Sequence, residues 1–174
     1  FGIITTAASH VSKDGQGWEG EFGLYDDKFI DCLCLLSRSI KRYDSLIFAQ
    51  LFHGGMRAPE HLTGFQPITA SRTICKESKS GYTRMASDHD IWRIIQDFTS
   101  AAVRCVESGF DGIELHGAHG YLISQFLSKT INKRTDKWGG DINGRSQFLI
   151  EIVNSIKNNV PEDFIVGIRL SPEI

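Results

Sequence analysis

The sequence predicts an α/β chain that forms part of a (β/α)8 barrel, approximately strands two to five with their helices. Three observations lead there. Short apolar runs alternate with amphipathic helical segments in the order β-α-β-(long loop)-α-β-(insert)-α-β, which implies parallel strands joined by right-handed crossovers. No G-x-G-x-x-G follows a strand, so a doubly wound dinucleotide fold gains no support. Polar residues with useful chemistry close several strands at their C-terminal ends, namely Gln50 and His53, His116, and Arg169. A barrel gathers its catalytic groups at that face.

The elements follow in order. Residues 2–8 (GIITTAA) are apolar and β-branched and predict a buried strand. Residues 9–23 are rich in glycine and polar side chains and predict a loop. Asp26 or Asp27 can cap a helix to about Tyr43, with Phe29, Ile30, Leu33, Leu36 and Ile40 at helical spacing. Residues 45–52 (SLIFAQLF) predict a strand buried on both faces. Residues 53–87 carry Gly, Pro, Ser and Thr and predict a long loop or a small hairpin insert, a length that usually signals function. Ser87 can cap a long helix to about Ser108, closed by Gly109. Residues 110–116 (FDGIELH) predict the third strand, with a short helix over 120–127 behind it. A helix over 143–160 stops at Pro161, and residues 164–170 (FIVGIRL) predict the fourth strand.

Composition narrows the function classes. A net charge of -2 gives no footprint for nucleic acid. No apolar run approaches the ~18 residues of a membrane span, and the start lacks the basic residues of a signal peptide. Cys32, Cys34, Cys75 and Cys105 form no C-x-x-C pair, and free thiols fit a cytoplasmic setting. The chain lacks an initiator Met and supplies four strands of an expected eight, so it is expected to belong to something longer, with all of 1–174 in one barrel domain.

The chemistry concentrates in His116-Gly117-Ala118-His119-Gly120-Tyr121. His116 closes an apolar strand, and His119 follows three residues later across a glycine turn. Two imidazoles so placed can grip one oxygen through two N–H donors, as an enone carbonyl requires while negative charge builds during hydride attack. Tyr121 offers a phenolic proton. A single histidine at a strand end is more often a satisfied structural residue, and an H-x-x-H pair can bind a metal. No third ligand is evident nearby, so no metal is expected.

The stretch from Gly109 to Leu127 (GFDGIELHGAHGYLISQFL) resembles the fourth-strand signature of the Old Yellow Enzyme family. Residues 132–140 (NKRTDKWGG) resemble its N-x-R-T-D-x-Y-G-G stretch. Residues 50–55 (QLFHGG) are similar to its third-strand Q-L-x-H-x-G, residues 166–172 (VGIRLSP) to its fifth-strand V-G-x-R-x-S, and GIITTAAS to its second strand. The matches span essentially the whole chain in family order.

The resemblance implies an FMN-binding TIM barrel. It implies that Gln50 bonds the flavin pyrimidine edge, that Arg169 sits near flavin N1 and O2, and that Ala7 lies where the second-strand backbone meets the ring. It implies that His116 and His119 bind the substrate carbonyl and that Tyr121 donates the proton. Classical yeast-like members carry asparagine where His119 stands. Arg134, Thr135 and Asp136 are expected to brace the loop after the catalytic strand. Trp138 replaces the common tyrosine, and residues 141–145 (DINGR) depart from S-x-E-N-R. His53-Gly54-Gly55-Met56-Arg57 is closer to the dienoyl-CoA reductase and amine dehydrogenase relatives.

The implied activity is reduction of the C=C bond of α,β-unsaturated carbonyl compounds, with NAD(P)H as hydride source. A small-molecule enone is the expected partner, homo-oligomerisation is possible, and neither nucleic acid nor membrane is expected. One alternative is a 2,4-dienoyl-CoA reductase or amine dehydrogenase-like flavoenzyme, whose iron–sulfur cluster would need a longer protein. Another is an inactive barrel fragment with a structural or interaction role.

Overall fold

The computed structural model describes residues 1–171. Its strands are β1 (Ile3–His10), β2 (Phe22–Gly23), β3 (Leu46–Phe52), β4 (Ile68–Thr69), β5 (Arg84–Met85), β6 (Gly112–Gly117) and β7 (Ile165–Leu170). Its α-helices are α1 (Ile30–Lys41), α2 (Glu60–Thr63), α3 (Asp88–Glu107), α4 (Leu122–Leu127) and α5 (Ile142–Lys157). Five strands pair in parallel in the order β2-β1-β3-β6-β7. The four long ones, with their crossover helices, are part of a (β/α)8 barrel.

Strand alternation sorts side chains to two faces. Ile47, Ala49 and Leu51 of β3 and Ile113 and Leu115 of β6 join the core with Ile91, Ile94, Ile95 and Phe98 of α3 and Phe148 and Ile152 of α5. Each fully buried large side chain of this kind contributes about 1.5–3 kcal/mol, against about 0–1 for an exposed ion pair. Apolar packing therefore decides which face the helices cover. The other face holds Phe48, Gln50 and Phe52 of β3, Glu114 and His116 of β6, and Arg169 of β7. The register sets Gln50 beside Glu114 and His116 beside Arg169.

Helix α3 starts where expected. The Ser87 side chain accepts from the Asp90 N–H while Asp90 accepts from the Ser87 N–H, a reciprocal cap. Arg84 adds a bidentate pair to the same carboxylate at 2.6 and 2.9 Å, and with Ser87 it holds Asp90 well below the usual carboxylate range. Residues 53–87 are more structured than a plain loop. They contain a 3-10 turn at Gly55–Arg57, helix α2, and strands β4 and β5, which pair in parallel. An antiparallel bridge, Ile74 to Tyr82, closes the tight loop between them.

Three smaller differences have local causes. Residues 9–23 hold a 3-10 turn at Lys13–Gly15 and the two-residue β2, which is too short to leave a periodic pattern. The first helix opens with a 3-10 turn, Asp27–Phe29, capped by Asp26. Helix α5 ends at Lys157, where Asn158 and Asn159 precede Val160 and Pro161, rather than running to Val160. Among the described residues no helix is long and apolar enough to cross a membrane.

Candidate active site

β6 delivers His116 to the rim of the sheet as a buried ring. The chain then turns sharply: His119 has φ 57° and Gly120 has φ 74°, both left-handed. This reversal brings Tyr121 back over the strand end, where it stands at the N-terminal boundary of α4. His116 lies with ring centroids 4.9 Å from His119 and 4.9 Å from Tyr121, at interplanar angles of 79° and 77°. Phe52, ending the neighbouring β3, packs edge-on against Tyr121 at 4.8 Å and tilted against His116 at 6.5 Å.

Hydrogen bonding defines the tautomer of His116. Its Nδ1 accepts from the Ala118 N–H at 3.3 Å, so the proton of the neutral ring sits on Nε2. Burial, then the charges of His119 and Arg169, push its pKa down to about 4. At neutral pH His116 is therefore an uncharged N–H donor. His119 is exposed. Its carbonyl accepts from Arg57 Nη1 at 2.7 Å, and the Arg57 guanidinium lies 5.1 Å from the Tyr121 ring centroid.

Gln125, on α4, ties this loop to the one after β3. Its Nε2 donates to the carbonyls of Gly54 (3.2 Å) and Gly120 (2.7 Å), and its Oε1 accepts from the Met56 N–H at 3.1 Å. Gly55, at φ 60°, lies so close that a Cβ there would strike the Gln125 amide. Sequence reasoning gave Gln125 no role. Its signal was a lone amide in LISQFL, a segment with four apolar residues of six.

Below the rim, the open face presents the residues expected at a flavin. The Gln50 backbone N–H donates to Thr6 Oγ1 at 3.2 Å, and its side-chain Nε2 lies 2.5 Å from Glu114 Oε1. Arg169 is exposed on the same face. Between Thr5 and Ala8 the β1–β3 register shifts, so Thr6 and Ala7 form a bulge that frees backbone groups from the ladder, and Ala7 is exposed. A flavin pyrimidine edge needs amide-type donors and acceptors and a cation near N1. An amide, a guanidinium and an opened strand backbone fit that demand.

His53 stands apart from the three rings. It is buried, its Nδ1 accepts from the Gly55 N–H at 3.0 Å, and its Nε2 lies 3.5 Å from Asp14 Oδ1. Asp14 in turn meets Arg93 at 2.5 Å. Burial alone would raise the Asp14 carboxyl, but His53, Arg93 and Ser12 together hold it far below the usual range. Arg134 braces the loop after α4. It donates to the carbonyls of Ala70 (3.1 Å) and Ala86 (2.6 Å) and pairs with Asp136 at 2.6 Å. Trp138 is buried, with Nε1 donating to Asp88 at 2.8 Å. Pro172, the last residue of the VGIRLSP stretch, lies outside the described residues.

The profile of the NADH:flavin oxidoreductase / NADH oxidase family matches residues 1–174. The chain is 36% identical over 177 residues to the probable NADH-dependent flavin oxidoreductase YqiG of Bacillus subtilis, covering 99% of this chain and 47% of that protein. Among solved structures, the old yellow enzyme homologue from Zymomonas mobilis superposes with a TM-score of 0.90 at 28% identity, over 98% of this chain and 50% of that one. Histamine dehydrogenase from Rhizobium sp. 4-9 superposes with a TM-score of 0.92 at 31% identity, over 98% of this chain and 27% of that one. The chain thus spans about half, or less, of the length of the proteins it matches.

Proposed function

The chain belongs to the NADH:flavin oxidoreductase / NADH oxidase family, and from that premise we propose that it carries the substrate-activating rim of an FMN-dependent ene-reductase. The observation that carries the proposal is the meeting of His116, His119 and Tyr121 at one strand end, above the face shared by Gln50 and Arg169. Gln50 and Arg169, with the Ala7 backbone, would hold FMN from this half of the barrel. When bound and reduced by NAD(P)H, that group would supply the hydride for the β-carbon of an α,β-unsaturated carbonyl compound.

The residues of the chain account for the polar half of the reaction. Neutral His116 directs its Nε2–H at the substrate carbonyl oxygen, and His119 offers a second N–H. Both donors stabilise the negative charge that grows on that oxygen. The N–H of a neutral imidazole is a very weak acid, so His116 donates a hydrogen bond without giving up the proton. The proton for the α-carbon comes from the Tyr121 hydroxyl, oriented by Phe52 on one side and Arg57 on the other.

Stopped-flow kinetics of the full-length protein test this. Tyr121→Phe should slow reoxidation by cyclohexenone by roughly 10²-fold, the usual scale of general-acid loss. Flavin bleaching by NAD(P)H should change less than about twofold, because that half-reaction needs no such proton. Equal losses in both half-reactions would remove Tyr121 from the role. A second reading, an amine or dienoyl-CoA oxidoreductase, draws support from His53-Gly54-Gly55 and from the likeness to histamine dehydrogenase. An iron–sulfur absorbance in the full-length protein would favour it.

A further inference from the structure

We propose that Glu114 is a positioning residue that sets the orientation of the Gln50 side-chain amide, so that Gln50 meets its ligand with the carbonyl oxygen foremost. The inference rests on the flavin reading above and adds a residue that reading does not use. Glu114 sits on β6, directly across the ladder from Gln50 on β3. Both side chains are half-buried on the open face of the sheet. Gln50 Nε2 donates to Glu114 Oε1 at 2.5 Å.

The chemistry of the pair gives the contact its direction. The two ends of a glutamine amide are nearly isosteric, and a free Gln50 can turn either one outward. A carboxylate oxygen only accepts, so beside Glu114 the NH2 end is the favoured neighbour. Oε1 is thereby turned away from Glu114, as an acceptor. The Gln50 N–H does not take Oε1 itself, being directed to Thr6 Oγ1. A flavin pyrimidine ring has one N–H, at N3, between two carbonyl oxygens. An outward Oε1 accepts from that N–H, whereas an outward NH2 would meet it donor to donor. Fixing the amide before binding removes a rotamer choice that the ligand would otherwise have to impose. A half-buried carboxylate on an otherwise uncharged stretch of β6 is costly unless it is hydrogen-bonded, and orienting Gln50 gives it a function.

The test is a double-mutant cycle on the full-length protein, reading FMN affinity of the apoprotein by quenching of flavin fluorescence. Glu114→Gln keeps the volume but can face Gln50 with either end of its own amide. It should weaken FMN roughly tenfold, the scale of one charge-assisted hydrogen bond. Gln50→Ala should weaken it at least as much. If Glu114 acts through Gln50, adding Glu114→Gln to Gln50→Ala should change affinity less than about twofold. Additive losses, or an unchanged affinity in Glu114→Gln, overturn the proposal. Wild-type protein that takes up no FMN overturns the flavin reading instead, so the two failures are distinguishable.

Should Glu114→Gln not fold, the wild type decides by NMR. The Gln50 Nε2 protons, identified by their loss in Gln50→Ala, should hold one downfield position with and without FMN. Signals that shift downfield only when FMN is added overturn the proposal.

Discussion

His116 illustrates how the burial that keeps a ring neutral also ties stability to pH. Its folded pKa of about 4 lies below the ordinary 6.5, chiefly because the ring is buried, with His119 and Arg169 adding to the shift. The unfolded chain takes up a proton near 6.5 that the folded chain refuses until about 4. The stabilising contribution is therefore complete above pH 6.5 and is lost as pH falls toward 4. At about 1.36 kcal/mol per pKa unit, discounted for residual solvent contact, the effect is on the order of 2 kcal/mol. Urea melts of wild type and His116→Asn should differ by a constant amount above pH 7. Acidification from 6.5 to 4 should cost the wild type more. A difference that stays flat across that window would show that the ring titrates normally.

At the scale of elements, Gln125 does for two loops what a cap does for one helix. Gln125→Leu leaves the Met56 N–H and the Gly120 carbonyl without their partner, and the Gly54 carbonyl with the Arg57 N–H alone. The expected destabilisation is about 2–4 kcal/mol. Ser87→Ala removes one side of the α3 cap and should cost only about 1 kcal/mol. Urea midpoints in the reverse order would mean that the loops after β3 and β6 are held by something other than this amide. The four long strands and the helices between them were legible because apolar periodicity and caps write themselves into local sequence. The pair His116 and His119 was legible for the same reason, being three residues apart. Phe52, Arg57 and Gln125 were not, since their contacts exist only because β3 lies beside β6. The β1 bulge and the pairing of β4 with β5 involve too few residues to leave a pattern. Glu114 stood in plain view within GIELHG, but its meaning depends on the cross-strand register with Gln50.

On the scale of the whole molecule, helices clothe one face of the sheet and leave the barrel-axis face open. Among the described residues no strand pairs with the outer edge of β7, and Ile165, Ile168 and Leu170 there are exposed. An unpaired apolar edge invites pairing with another copy. The 174-residue chain expressed alone should therefore sediment with a mass that rises with concentration, and Ile168→Lys should reduce that rise. A monomer at every concentration would mean that the edge is protected. The full barrel that the family profile implies would cover the same edge internally.

The left-handed backbone at His119 also bears on directed evolution of this rim. Suppose every amino acid were tried at position 119. Conformation would winnow the library first, retaining chiefly glycine, asparagine, aspartate and histidine. The N–H donor that the proposed function asks of this side chain would winnow it again, discarding glycine and aspartate. Two survivors remain, histidine and asparagine, so a single torsion angle narrows the alternatives at this corner to four before any substrate is considered, and the need for a donor halves them.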